Sequence, residues 1–210
     1  MKKLRIAILI ILLVLIADQA FKIWIKTHMM LGQEYNVIEN WFYLHFTENN
    51  GMAFGIEFNG KFGKIFLSLL RIFAITGIGW CIYVLCKKNE HTGLVISAAL
   101  IWAGAFGNII DSAFYGMIFS NSSVICHNCV PSMLFPKDGG YSAFLHGKVV
   151  DMLYFPLFEG HFPEWFPFWK GESFTFFRPV FNLADSSITS GVLLIIFFQR
   201  KFFNKNKINN

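Results

Sequence analysis

Four stretches of this chain are each apolar for about twenty residues, the length at which a helix crosses the ~30 Å hydrocarbon core of a bilayer. They cover about 4–25, 62–86, 93–115 and 182–203. In hydrocarbon every backbone N–H and C=O must find its partner within the protein, which leaves helices as the natural solution for such segments. The composition agrees: 55% of the 210 residues are hydrophobic, only 15% are charged, and 26 are Phe. Mean hydropathy is +0.49. The expected fold class is an all-α membrane protein, a single integral domain over 1–210. Four transmembrane helices would carry a small extracytoplasmic antiparallel β-sheet and a long outer loop.

Lys and Arg set the orientation. Lys2, Lys3 and Arg5 precede the first span, Lys87 and Lys88 sit between the second and third, and Arg200, Lys201, Lys205 and Lys207 follow the fourth. By the positive-inside rule both termini and the short 87–92 connection are cytoplasmic, and segments 29–61 and 116–181 face outward. The net charge of +5 thus belongs to helix ends, which argues against a nucleic-acid partner. MKKLR followed by IAILIILLVLI also fits a signal peptide. Yet ADQAFKIWI follows without a small-x-small cleavage site, so a retained helix is expected.

Segment 29–61 alternates Tyr43, His45 and Thr47 with Leu44 and Phe46, the period of a half-exposed strand. Asn49-Asn50-Gly51 reads as a hairpin-type turn signal. Residues 154–181 are crowded with Phe, Trp and Pro, and Pro156, Pro163, Pro167 and Pro179 exclude a long helix there. Such rings suit the headgroup layer, either as an interfacial anchor or as the rim of an entrance. Cys126-His127-Asn128-Cys129 is a single CxxC, a weak metal signal beside a local disulfide or free thiols. Cys81 and Cys86 lie within a span and read as packing residues. No metal and no cofactor are expected.

Charges inside membrane helices are rare and functional by default. Asp18 and Lys22 stand four apart on one helical face and suit an ion pair. Asn108 and Asp111 follow Gly104 and Gly107, which permit close helix approach. Asn182 and Asp185 repeat the Asn-x-x-Asp spacing, where Asn182 also suits an N-cap with Asp185 in the first turn. Asp151 interrupts GKVVDMLYF with no base beside it. At ~1.5 Å per residue, Asp18 stands about 21 Å and Asp111 about 27 Å from their cytoplasmic ends, in a core of about 30 Å. Asp185 lies one turn from the outer end of its helix. Four carboxylates therefore converge near the outer edge of the bilayer. A close carboxyl pair keeps one proton between two acids, so one member can activate water while the other polarises a carbonyl. That is peptide hydrolysis without a metal or a covalent nucleophile. The rival reading is a small proton-coupled transporter, but its acids would be spaced through the membrane rather than crowded at one side. A non-catalytic lipid-binding scaffold would not need the acid pair.

In order along the chain, Asp18 to Lys22 has the pattern D-x-x-x-K, Asn49 to Gly55 N-x-G-x-A-F-G, and Gly107 to Asp111 G-N-x-x-D. Gly147 to Asp151 follows with G-x-V-x-D, and Phe181 to Asp185 with F-N-x-A-D. With these five motifs the chain resembles the bacterial lipoprotein signal peptidases, four-helix aspartyl proteases of the inner membrane. The resemblance implies a catalytic dyad of Asp151 and Asp185. Asp18, Lys22, Asn49, Gly51, Asn108, Asp111, Asn182 and Ala184 fall on supporting positions. It also implies an outer β-cradle and cleavage of diacylglyceryl-modified prolipoproteins just before the lipidated Cys. The expected protein is a monomer contacting membrane lipids. Two features depart from the pattern. Ser112 stands where the family usually has Arg, with Lys148 or Arg178 offered as replacement cations. Residues 118–147 also form an insertion, and 152–181 look long.

Overall fold

The computed structural model describes residues 2–39, 41–49, 60–126, 129–156, 158–161, 171, 173–176 and 180–203. Its first element, α1 (Lys2–His28), is followed by strands β1 (Glu34–Ile38) and β2 (Phe42–Asn49) and then by α2 (Gly60–Lys87). Helix α3 (Thr92–Ile110) runs on through a π-helical turn (Asp111–Tyr115) into the short α4 (Gly116–Ile118). After the insertion come β3 (Val149–Tyr154), β4 (Phe158–His161), β5 (Ser173–Phe176), β6 (Val180–Phe181) and α5 (Leu183–Phe203).

The architecture is mostly helical with a small antiparallel sheet, and the helices fall where the apolar spans predict them. Among the described residues three stretches are long and apolar enough to cross a membrane: Lys2–His28, Ser68–Lys87 and Thr92–Ile118. Helix α5 is not among them. It opens on Asp185, Ser186 and Ser187 and closes on Arg200 and Lys201, which dilute its apolar centre. Lipid-facing helices leave large apolar side chains bare, and Leu13, Ile16, Phe73 and Phe197 are all exposed.

Helix packing follows the glycines. A Cβ on Gly104 would lie 2.1 Å from the Ala184 carbonyl oxygen, and one on Gly191 would lie 2.6 Å from that of Ser97. Helices α3 and α5 therefore touch backbone to backbone, as small-residue seams allow in membranes. Gly107 leaves room for the Asp18 carboxylate, 2.8 Å from where a Cβ would stand. A second seam joins α1, α2 and α3 through Ala7, Ile82, Val95, Ala98 and Ala99.

The four-stranded sheet has the order β1-β2-β3-β6. Thr47 pairs with Asp151, Asn49 with Val149, and Leu153 with Phe181. The alternating stretch at Tyr43–Thr47 is thus in strand β2, where Phe46 is the buried hydrophobic residue. The turn expected at Asn49-Asn50-Gly51 falls, with Asn50 and Gly51, outside the described residues. Under the sheet, Phe46, Val150 and Met152 pack on Ile25, Met29, Tyr115 and Phe119, fastening it to the ends of α1 and α3. Strands β4 and β5 pair separately, consistent with the prolines that exclude a long helix there.

Because backbone meets backbone at Gly104, a single added methyl should be costly there. Gly104→Ala is expected to destabilise the protein by about 1–3 kcal/mol, the usual range for overpacking. Gly77 lies in a helix with nothing within 4 Å of its Cβ position, so Gly77→Ala should be neutral or stabilising by up to about 1 kcal/mol. Thermal unfolding of both variants in one detergent measures the contrast.

Candidate active site

The site is assembled around a cation. Lys22 carries its ammonium to 2.9 Å from Asp18 Oδ2 and 2.8 Å from Asp111 Oδ2, with all three side chains essentially inaccessible. Its third proton goes to Asn108 Oδ1 at 2.9 Å. The i, i+4 pair expected on α1 is present, but it is half of a three-membered cluster that binds α1 to α3. The rest of each carboxylate is used as well. Asp18 Oδ1 accepts the Ala184 N–H at 2.9 Å, and Asp111 Oδ1 accepts from Gln19 at 2.9 Å. Gln19 in turn accepts from Tyr115 Oη at 3.1 Å. Buried charge survives only when paired and saturated with hydrogen bonds, and here no buried side-chain polar atom among the described residues lacks a partner.

The remaining two acids are addressed through asparagines. With Asn108 Oδ1 turned to Lys22, its Nδ2 faces outward and donates to Asp185 Oδ1 at 2.8 Å. Asn182 ends β6 and caps α5, as its Asn-x-x-Asp spacing predicts: its Oδ1 accepts the Asp185 N–H at 2.9 Å. The Asp185 carboxylate answers from Oδ2 to the Asn182 N–H at 3.3 Å, in the manner of a capping box. That commits Asn182 Nδ2 to the other side, where it donates to Asp151 Oδ1 at 2.7 Å and to Asn108 Oδ1 at 3.1 Å. Asn49, at the end of β2, donates to Asp151 Oδ2. Asp151 and Asp185 are thus linked through a relay of two amides, each amide's polarity set by a fixed charge or a helix end.

Asp151 lies on β3 and is 4% exposed. Burial, and then the neighbouring Asp185 charge, push its carboxyl up to about 7, against the hydrogen bonds of Asn182 and Asn49. Such a raised value marks a carboxyl that keeps a proton near neutral pH. Ala184 is fully buried between Asp18 and the α3 backbone. Gly147 is demanded by contact, since a Cβ there would fall 2.1 Å from the Asp111 carbonyl oxygen. The described sequence-predicted residues therefore meet at one junction of α1, α3, β2, β3 and α5.

Some participants were not singled out from the sequence. Lys26, fully buried, pairs with Glu48 and donates to Ser122 Oγ at 2.7 Å, while Lys148 reaches Glu48 at 3.2 Å. Burial would raise the Glu48 carboxyl, but the charge and hydrogen bond of Lys26 outweigh it and hold the group below its ordinary value. Lys26 follows Asp18 and Lys22 by the same four-residue step, the signal that could have revealed it. Ser112 is buried and bonds the Asn108 carbonyl at 3.1 Å. Lys148, offered as a replacement cation for Ser112, is occupied by Glu48, and Arg178 lies outside the described residues. Among the described residues, Arg71 on α2 has its guanidinium in electrostatic range of Asp185. Cys126 and Cys129 form a disulfide, one of the outcomes left open by the CxxC spacing.

A family model described as signal peptidase (SPase) II matches residues 10–200. A lipoprotein signal peptidase of Porphyromonas gingivalis is 53% identical over 196 residues, covering 91% of this chain and 81% of that protein. One from Amoebophilus asiaticus is 38% identical over 194 residues, covering 91% and 76%. Two solved structures, each described as a bacterial membrane enzyme studied by the in meso method, share the fold. The first has a TM-score of 0.63 at 26% identity and covers 97% of this chain and 93% of its own. The second has a TM-score of 0.60 at 28% identity, with 93% covered on both sides.

Removing the central cation should be worse than losing an ordinary contact, because two buried carboxylates lose their counter-charge. Lys22→Met is expected to cost about 3–5 kcal/mol, the range for breaking a buried ion pair from one side. Thermal unfolding of the purified variant checks this, and a loss under about 1 kcal/mol would contradict the desolvated geometry.

Proposed function

The chain belongs to the signal peptidase II family, and on that premise we propose that Asp151 and Asp185 are the pair with which it cuts. The protein is a multi-pass membrane protease that removes signal peptides from prolipoproteins. The observation that supports this pair is the amide relay. Asn182 and Asn108 connect the two carboxyls while every other acid of the cluster is committed to Lys22.

In the proposed reaction the pair holds one proton between two carboxyls. The ionised member takes a proton from water, and the resulting hydroxide attacks the scissile carbonyl carbon as the neutral member donates its proton to the carbonyl oxygen. As the tetrahedral intermediate collapses, one of its hydroxyls returns its proton to the ionised carboxylate and the amine leaves with the proton held by the other member, so the pair again holds one proton. The shared proton belongs to the dyad as a unit. Asn49, Asn108 and Asn182 hold the carboxyl planes, and the Lys22 cluster holds the asparagines. No metal and no cofactor enter this chemistry. Asp18, Asp111, Gly51 and Ala184 complete the supporting set.

The basic residues at Lys2–Arg5, Lys87, Lys88, Arg200 and Lys201 gather at the helix ends away from the sheet. The positive-inside rule then puts both termini in the cytoplasm of an inner-membrane protein, with α5 as the fourth crossing. The dyad and the sheet stand at the opposite, outer interface. That depth suits a substrate anchored by diacylglyceryl chains and cut just before its lipidated Cys. The chain acts as a single-domain monomer among membrane lipids, without a nucleic-acid partner.

Asp151→Asn and Asp185→Asn should each lower kcat/KM for a diacylglyceryl-modified prolipoprotein by about 10²–10⁴-fold, the scale of a lost general acid or base. Mass spectrometry of the mature product, which should begin at the lipidated Cys, reports cleavage; wild-type rates in either variant would remove that residue from the dyad. The pH profile is a separate check. Because the Asp151 carboxyl is raised to about 7, the pair loses its shared proton above that pH and kcat/KM should fall on the alkaline side. Asn49 favours the charged form of Asp151, so Asn49→Ala should move that alkaline limb to higher pH.

A further inference from the structure

The 118–147 insertion has its polarity arranged as a membrane surface would require. Its base is tied down by backbone bonds. Ser120 N donates to Met133 O at 2.9 Å, Phe135 N to Ile118 O at 2.7 Å, and Leu31 N, just past α1, to Ser123 O at 2.9 Å. Phe119 and Ser132 are buried there, and Tyr141 packs against the core under the sheet. Above this anchored base the side chains are apolar and bare. Val124, Ile125, Val130, Met133 and Phe135 are 59–72% exposed, and Phe144 is 53% exposed.

Two further observations bear on what covers them. Phe135 stands at φ 52°, the left-handed region that a bulky side chain enters only when its surroundings impose it. The bond from its N–H to Ile118 holds it there, with its ring directed away from the protein. The Cys126–Cys129 disulfide joins the two cysteines that adjoin the exposed Ile125 and Val130, tying these two apolar residues close together. A loop evolved for water has no reason to impose either constraint on bare hydrophobic groups.

The patch is also continuous with the side of the molecule that lipid covers. Phe144 meets Phe114 edge to face, ring centroids 5.8 Å apart. Phe114 and Met117 belong to the membrane-spanning stretch Thr92–Ile118 and are themselves about half exposed. At Phe144 the apolar surface of the insertion therefore adjoins the flank of that helix.

We propose that the tip of the 118–147 insertion is embedded in the bilayer leaflet on the dyad's side, a lipid-docked ledge that extends the hydrophobic belt of α3 beyond the end of the helix. Its occupant is phospholipid, at the depth where headgroups meet acyl chains. The ledge leads through Gly147 directly into β3, so it fixes the height of the strand carrying Asp151 relative to the membrane surface. The inference rests on the membrane embedding of the helices and not on the identity of the catalytic pair.

Spin labels test it. In a Cys81→Ser, Cys86→Ser background that keeps the native disulfide, single labels are placed at Met133→Cys, Phe135→Cys and, as a polar control on the same loop, Lys137→Cys. The purified full chain is reconstituted in phosphatidylethanolamine–phosphatidylglycerol vesicles, and each label is exposed to oxygen and to a water-soluble nickel chelate. The expected result is that the labels at 133 and 135 collide with oxygen and are shielded from nickel, while the label at 137 does the reverse. Nickel access at all three positions would place the loop in water and overturn the proposal. Shielding from both reagents at 133 and 135 would mean a protein partner or a second copy, and would overturn it as well. Phe135→Gly keeps the backbone comfortable at positive φ. It should retain cleavage in detergent, showing a folded protein, while raising nickel access at a 133 label; unchanged access would deny Phe135 a part in docking.

Discussion

A lysine with no water around it determines most of what this structure can do. The ammonium of Lys22 is held between Asp18 and Asp111, and the cost of burying three charged groups is offset because each is also hydrogen-bonded to its neighbours. Asp18 reaches α5 through the Ala184 N–H, Asp111 reaches β3 through the Val150 N–H, and Gln19 and Tyr115 close the ring. Helices that have no hydrophobic reason to associate in lipid are thereby held in one register. The glycines at 104, 107 and 191 let them come close enough for the cluster to form.

From that cluster, orientation passes outward by hydrogen-bond polarity. An asparagine has a donor end and an acceptor end, and fixing one fixes the other. Lys22 takes the oxygen of Asn108, so its NH₂ must face Asp185; the first turn of α5 takes the oxygen of Asn182, so its NH₂ must face Asp151. The acids proposed to react receive amide N–H donors, and Asp151 lies close to the like charge of Asp185, the condition under which a carboxyl retains a proton. Asp18 and Asp111 are committed to Lys22, while Asp151 and Asp185, the proposed reactive pair, are reached by amide groups.

Much of this was readable from residue types and spacing. Asp18 and Lys22 announce a shared helical face, Gly104 and Gly107 a close approach, Asn182 a cap with Asp185 in its first turn. The alternation through Tyr43–Thr47 announces a strand. Other features were hidden because their partners are remote. Lys26 pairs with Glu48 across 22 positions, and Lys148 meets the same Glu48 across 100, so neither pairing leaves a local pattern. A replacement for the cation missing at Ser112 was sought in Lys148 or Arg178; Lys148 meets Glu48, and among the described residues Arg71 comes within electrostatic range of Asp185 from another helix. The bare tip of the insertion was equally illegible, since Val, Ile and Phe in a loop look alike whether they pack inward or outward.

By itself the sequence determined that the chain spans a membrane, where its helices run and which polar residues sit in them, because hydrocarbon length and helical periodicity act on neighbours along the chain. The five motifs also identified its family. Only the tertiary structure decided how those polar residues divide. Lys22 claims Asp18 and Asp111, and the two asparagines turn toward Asp151 and Asp185, because each choice depends on a proton or lone pair brought from a different element. The opening carboxylate of α5 reads by sequence as a first-turn acid behind the Asn182 cap, and becomes the candidate partner of Asp151 because Asn108, 77 residues away, bonds it and Asn182 bonds Asp151 across 31 residues.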